Sequence, residues 1–320
     1  MNKRVATITF NPAYDLVGYT SDLQYGHINV VNTLGLHAGG KGINVAKILT
    51  SLGVDVTVFG FLGKENQEAF KSLFINTGII DRFRMVEGHT RINVKLTTQQ
   101  GKLTELNFSG FKITKNEWED FATESFTFFS QFDMICVSGS LPEGLLISSF
   151  SEWMQQLCRS CPFIVFDSSR DALVAGIHTK PSLIKPNRHE LEIWANRHLP
   201  TIKDVIATAY TLHHQGIEHV VVSLGDEGAI WINSNGAWIA KPPSCNVIST
   251  VGAGDAMVGG LMYGLLMKKS SEYTLRLATA LAVLTVNQSN VGITNLAALY
   301  TMMERVDLCP YAMHKAGVKS

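Results

Sequence analysis

Cysteine is scarce in this 320-residue chain: Cys136, Cys158, Cys161, Cys245 and Cys309 make an odd set of five. In a long chain without a secretion-like leader this excludes a disulfide framework and predicts reduced thiols. Cys158-x-x-Cys161 has no second pair and no His-x-His partner nearby, so a zinc site finds no support. The ten histidines are scattered, and the adjacent pair His213 and His214 would point in different directions on a helix. Net charge is also missing, because Lys+Arg and Asp+Glu both number 27. No global basic field exists to attract nucleic acid or anionic lipid, so any anion site must be local. No apolar run reaches the ~20 residues of a membrane span, and the first ten residues lack the apolar core of a signal peptide. A cytoplasmic protein with neither nucleic-acid nor membrane partners is expected.

What is present is a chain with 46% hydrophobic and 17% charged residues, enough for one large α/β domain with an accessory element, or for two domains. Its central stretch is Ser249-Thr250-Val251-Gly252-Ala253-Gly254-Asp255, followed by an apolar run through Leu265. Small residues ahead of such a run predict a tight loop opening into a buried helix. A helix start offers unpaired N–H groups and partial positive charge, and glycines let an anion approach them. Asp255 is out of place in a pure phosphate cradle. It suits a carboxylate that takes a proton from an attacking hydroxyl while the amides hold developing charge. A helix cap with glycines chosen for packing is the alternative. The dinucleotide-binding pattern fails, since Met257 stands where a third glycine belongs.

A second glycine motif, Ala38-Gly39-Gly40-Lys41-Gly42-Ile43-Asn44, leads into a helix through Leu52. Read as a Walker A loop it breaks at Gly42, where a magnesium-binding Ser or Thr should stand. A polyol or phosphate cradle with Lys41 and Asn44 as donors fits better.

In order along the chain, Val5 to Thr9 predicts a first strand, running into Asn11-Pro12-Ala13-Tyr14-Asp15. Asp15 is thereby expected in a loop beyond the carboxyl end of a sheet strand, facing a substrate, or else in an ordinary Asx turn. Two β-rich blocks, 18–36 and 91–108, the second with a turn at Gln99 to Lys102, predict a small separate sheet. It would serve as a lid, as a dimer contact, or as both. Arg91 and Lys95 would share a face of one of its strands, to neutralise a substrate phosphate or to guard a solvated edge. Strands at 55–60 and 83–86 flank a helix at 64–76.

From Glu117 onward strand, loop and helix alternate, which predicts a parallel sheet. Its strands are expected at 134–138, 163–166, 183–185 and 220–223, with helices at 151–158, 203–215 and 275–287, the last packed on the helix that follows Gly254. Asn187 and Glu190 could order a hydrated magnesium ion or simply form a capping box. Ser223-Leu224-Gly225-Asp226-Glu227-Gly228 could bear nucleotide phosphates or be a simple turn. A hairpin joins 229–233 to 238–240, and the tail from Pro310 is expected to fray.

With both glycine motifs in order, nearly the whole chain, Asn11 to about Val306, resembles the ribokinase-like family of carbohydrate kinases. The resemblance implies a single domain over 1–320, with a three-layer α/β/α core, a mainly parallel sheet and a small β-sheet lid that serves as a homodimer interface. It implies ATP and Mg2+, Asp255 as base, and the amides of Gly252, Ala253 and Gly254 as anion hole. Asp15, Gly39, Gly40, Lys41, Asn44 and Ser140 would hold the sugar, and Arg91 its phosphate. Lys185, Asn187 and Ser223, Leu224, Gly225, Asp226, Glu227 and Gly228 would face ATP beside Gly254 and Asp255, with Glu190 on magnesium through water. Within the family, 6-phosphofructokinases carry basic residues where His27 and Asn29 stand here, and lack a lysine at Lys41. That difference favours fructose 1-phosphate, phosphorylated at O6, over fructose 6-phosphate. Tagatose 6-phosphate stays open, because kinases for it share the Gly-Gly-Lys-Gly form. A non-catalytic sugar-phosphate-binding regulator is the alternative of another class.

Overall fold

The computed structural model describes residues 3–245, 247–288, 291–293 and 295–311. The chain divides into two compact units, one up to Trp153 and one from Met154.

In the first unit β1 (Arg4–Thr9), buried on both faces from Val5 onward, lies between β4 (Asp55–Gly63) and β8 (Met134–Ser138), and β5 (Ile80–Val86) completes the row. All three pairings are parallel, so runs such as Val56 to Leu62, apolar but for Thr57, become strands with no solvated face. Helices α1 (Lys41–Ser51), α2 (Glu68–Thr77) and α3 (Lys115–Phe129) supply the crossovers. A reciprocal capping box between Thr114 and Glu117 opens α3. An aromatic cluster behind the sheet holds Phe10, with Phe121 at 5.2 Å, Trp153 at 5.4 Å and Trp118 at 5.5 Å between ring centroids. Burying a ring of this size contributes roughly 2 to 3 kcal/mol and fixes the loop that begins at Asn11.

The small sheet runs in the order β3 (Asn32–Gly39), β2 (Ala13–Thr20), β6 (Arg91–Thr98), β7 (Leu103–Asn107). The second expected block supplies β6 and β7, joined by the turn at Gln99 to Lys102, whereas the first contributes only its ends to β2 and β3, since 21–31 form no strand. Asp15 corrects the expectation. It lies within β2 of this sheet, opposite His37 on β3 and Asn93 on β6, and not in a loop at the end of the main sheet. A turn-like Asn-Pro start masks a strand whose pairing is wholly non-local.

The two faces of the small sheet differ. Asp15, His37 and Asn93 form a polar row, whereas Leu16, Leu36, Val94 and Leu106 form an apolar row behind it. Leu36 and Leu106 remain 55% and 49% exposed, with Leu34, Ile92 and Phe108 also exposed close by.

Helix α4 (Ile147–Ser160) spans the division of the chain and is longer at both ends than its sequence pattern indicates. The second unit has β9 (Ile164–Asp167), β10 (Leu183–Ile184) and β11 (His219–Ser223) in parallel, followed by antiparallel β12 (Ala229–Asn233), β13 (Gly236–Lys241) and β14 (Asp307–Tyr311). Its helices are α5 (Arg170–His178), α6 (Arg188–Ala195), α7 (Ile202–His214), α8 (Ala253–Leu266), α9 (Ser271–Val286) and α10 (Leu296–Arg305). Helix α9 packs on α8 as expected, and closely, since a Cβ at Gly260 would stand 2.6 Å from the Cα of Ala278.

Two further expectations are corrected. The stretch expected to be one helix from Lys64 splits into a 3-10 turn, Lys64–Asn66, and α2 beginning at Glu68. Pro310 and Tyr311 belong to β14, the edge strand beside β13, where proline's missing N–H is tolerated; 312–320 lie outside the described residues. Among the described residues no helix is long and apolar enough to cross a membrane, and the five cysteines are free.

Candidate active site

Each unit assembles one group of the residues singled out in the sequence. In the first unit, α1 starts at Lys41 behind Gly40, whose φ of 135° is closed to other residues. A Cβ at Gly42 would lie 2.4 Å from Oγ1 of Thr9, so α1 can rest on β1 only with glycine there. The residue that spoils a Walker A reading is therefore a packing requirement.

The Cβ position of Gly39 is 3.5 Å from Oδ2 of Asp15 and 3.8 Å from Oδ1 of Asn44. Glycine at 39 thus leaves room beside two side-chain oxygens. On the other flank of α1, the Cβ position of Gly139 is 3.9 Å from that of Lys41, which brings the loop after β8 alongside the lysine. In that loop Ser140 Oγ accepts from the Asn11 amide at 3.2 Å, while Arg91 donates to the Asn11 carbonyl at 3.3 Å. Asn11 therefore ties Arg91 to Ser140.

Asp15 is surrounded by cationic groups. Its Oδ2 pairs with Lys95 Nζ at 2.9 Å, and its Oδ1 accepts from the Asn93 amide at 3.3 Å. Burial drives the Lys47 ammonium on α1 down to about 8, opposed by the Asp15 charge. Burial also lowers Arg91, with Asp15 opposing, and lowers His37, aided by Lys47. Lys95 is thus committed to Asp15, which the shared strand face of Arg91 and Lys95 did not reveal.

In the second unit α8 begins at Ala253, with Gly252 as its cap at φ 77°. A Cβ at Gly252 would lie 2.2 Å from Cγ2 of Val291, so both backbone and space demand glycine. Asp255 stands in the first turn and is 7% exposed. The Cβ position of Gly254 is 3.2 Å from Lys185 Nζ, so the ammonium lies against the helix start. Lys185 follows β10 directly and faces Asp167, the last residue of β9, at 3.6 Å. Asp167 lies one residue beyond the strand expected at 163–166. Its alignment with Lys185 depends on the β9 to β10 register, which no local pattern encodes.

The turn after β11 is joined to the start of α6: Ser223 N–H donates to the Pro186 carbonyl at 3.0 Å, and Arg188 pairs with Glu227 at 3.1 Å. Lys185, Asn187, Glu190 and the run from Ser223 to Gly228 are therefore one cluster. Leu224 is buried, whereas Gly225, Asp226 and Glu227 are exposed in a 3-10 turn closed by Gly228. Asn187 and Glu190 form a full capping box, each accepting at 2.8 Å from the other's backbone N–H. Among the described residues no group of three or more His, Cys, Asp or Glu could hold a metal ion.

A glycine-started helix bearing a buried acid and flanked by a buried lysine is built for an anion and a proton acceptor together. The pfkB family carbohydrate kinase model matches residues 7–298, and the chain belongs to that family. Its fold is the ribokinase-like α/β class, a mainly parallel sheet with helices plus a small separate sheet.

Over 311 residues the chain is 62% identical to 1-phosphofructokinase of Escherichia coli strain K12, covering 97% of this chain and 100% of that protein. It is 47% identical to 1-phosphofructokinase of Haemophilus influenzae, covering 95% and 97% of the two. The crystal structure of phosphofructokinase-2 from Escherichia coli in complex with substrates and products superposes with a TM-score of 0.88 at 26% identity, covering 94% of this chain and 98% of that one.

Proposed function

We propose that the protein transfers the γ-phosphoryl group of ATP to O6 of fructose 1-phosphate, giving fructose 1,6-bisphosphate and ADP. The observation that carries the reading is the start of α8, where buried Asp255 shares a turn with Gly254 and the Lys185 ammonium lies against that glycine. The choice of sugar draws support from the 62% identical relative and from His27, Asn29 and Lys41 in this chain.

Asp255 accepts the proton of the attacking hydroxyl as the new O–P bond forms and the bond to ADP breaks; no covalent enzyme intermediate is needed. The amides of Gly252, Ala253 and Gly254 and the Lys185 ammonium offset charge on the transferred group. Asp15, Gly39, Gly40, Lys41, Asn44 and Ser140 hold the sugar, and Arg91 holds its phosphate. Asn187 and the turn Ser223, Leu224, Gly225, Asp226, Glu227 and Gly228 hold the nucleotide. Magnesium keeps several waters and uses one or two carboxylates plus phosphates, so it needs no cluster of three protein ligands, and none is found among the described residues. Glu190 would meet it through water, and when bound the ion neutralises phosphate charge.

Both units act as one kinase domain, in the cytoplasm. The small sheet serves as a lid whose apolar face pairs two copies into a homodimer; exposed Leu34, Leu36, Ile92 and Leu106 support this.

The test is ADP release from the purified protein with MgATP and, in parallel, fructose 1-phosphate, fructose 6-phosphate and tagatose 6-phosphate. Preference for fructose 1-phosphate is expected. Preference for another sugar would overturn the substrate assignment and keep the kinase chemistry. No turnover with any of them would favour a sugar-phosphate-binding regulator.

A further inference from the structure

We propose that Lys95 is a positioning residue for sugar binding: with the Asn93 amide, its ammonium holds the Asp15 carboxylate in the orientation that accepts hydrogen bonds from sugar hydroxyls. The inference rests on Asp15 being a sugar ligand.

Three strands set this geometry. Asp15 on β2 is in register with His37 on β3 and Asn93 on β6, and Lys95 lies two residues beyond Asn93 on the same face. Each carboxylate oxygen has its own donor, Lys95 Nζ at 2.9 Å on Oδ2 and Asn93 Nδ2 at 3.3 Å on Oδ1. The pair is nearly buried, with side-chain exposures of 8% and 15%, so solvent screens it little. Oδ2 is also the oxygen nearest the Cβ position of Gly39, at 3.5 Å, so the anchored edge faces the glycine motif.

A single carboxylate faces cations from every neighbouring element: Lys95 and Arg91 on β6, Lys47 on α1, and His37 on β3 once protonated. Without an anchor it would turn toward whichever cation is nearest. A carboxylate that swung to Arg91 would both lose the sugar and neutralise the residue assigned to the sugar's phosphate. Lys95 prevents this by matching the Asp15 charge, so that Arg91 keeps its contact with the Asn11 carbonyl at 3.3 Å, beside Ser140. The two cations of this strand face thereby divide the work, one holding Asp15 and the other meeting the substrate's anion.

The experiment is a double-mutant cycle on the full chain, with Lys95→Met, Asp15→Asn and the double variant assayed with MgATP and fructose 1-phosphate. Lys95→Met is expected to raise the sugar-phosphate KM roughly 10- to 100-fold, the range for a charged hydrogen bond, with the ATP KM unchanged. Because Lys95 acts only through Asp15, the double variant should lie within about threefold of Asp15→Asn alone. An ATP KM that rises in parallel, or a Lys95→Met effect that multiplies in full onto Asp15→Asn, would overturn the proposal. An unchanged sugar-phosphate KM in Lys95→Met would also overturn it. Should Lys95→Met fail to fold because Asp15 is left without its counter-charge, the double variant, which lacks both charges, still gives the comparison with Asp15→Asn. If Asp15→Asn itself leaves the sugar-phosphate KM intact, it is the sugar-ligand reading of Asp15 that falls.

Discussion

Lys185 Nζ lies 3.6 Å from Oδ1 of Asp167, and the two side chains are 4% and 0% exposed. The pair joins the ends of two neighbouring parallel strands and holds the ammonium against Gly254. Removing one partner leaves a buried charge uncompensated, which costs on the order of 3–5 kcal/mol, whereas removing both costs much less. Lys185→Met should therefore lower the urea midpoint more than Lys185→Met with Asp167→Asn. A double variant less stable than the single one would overturn this expected order.

Asp255→Asn should lower kcat by roughly 10²- to 10⁴-fold, the range for loss of a general base, and change both substrate KM values little. Steady-state kinetics checks this. Unimpaired turnover would remove Asp255 from its role. Gly254→Ala tests the neighbouring cation, because the added methyl would stand 3.2 Å from Lys185 Nζ and displace it. The ammonium need give by only a few tenths of an ångström, so kcat/KM should fall by less than the roughly 10²-fold that a 1 Å misplacement costs.

His219 is 8% exposed, with ring centroids 5.5 Å from Trp231 and 5.8 Å from Phe163. Burial lowers its pKa below 6.5, assisted by His213 and opposed by Glu218. The unfolded chain consequently binds this proton more readily than the folded one. The sign follows: stability is lost as pH falls through about 6.5 toward the lowered folded value. In His219→Phe the ring packing is kept and the proton site removed. Thermal melts at pH 7.5 and 5.5 should show a smaller acid-induced drop for the variant, and an equal drop would refute the assignment.

On the outer face of the small sheet, Leu36→Glu or Leu106→Glu places a charge where an apolar row is 55% or 49% exposed. If that row pairs two copies, light scattering after gel filtration should show a dimer for the native chain and a monomer for either variant. A native monomer would dismiss the interface.

Much of the architecture was legible because its signals are local. The two glycine motifs mark helix starts whose positive φ at Gly40 and Gly252 favours glycine, and β8, β11 and the hairpin of β12 and β13 follow from short apolar runs and turns. Less visible were β2, hidden behind a turn-like Asn-Pro, and β14, where Pro310 looked like the start of a frayed tail. Both are defined by pairing with distant strands. The region from Asn187 to Glu190 was legible as a capping box and is one.

By itself the sequence determined the α/β class, the two glycine-led helices and the acid at 255, since residue type and spacing alone dictate these. Tertiary structure decided which charges meet. Lys95 rather than Arg91 pairs with Asp15, Lys185 meets Asp167 across a strand register, and Gly42 is required by the Thr9 hydroxyl beneath it. The physical reason is common to all three: a contact between residues distant in sequence depends on strand register and close packing, and neither leaves a periodic mark in the chain.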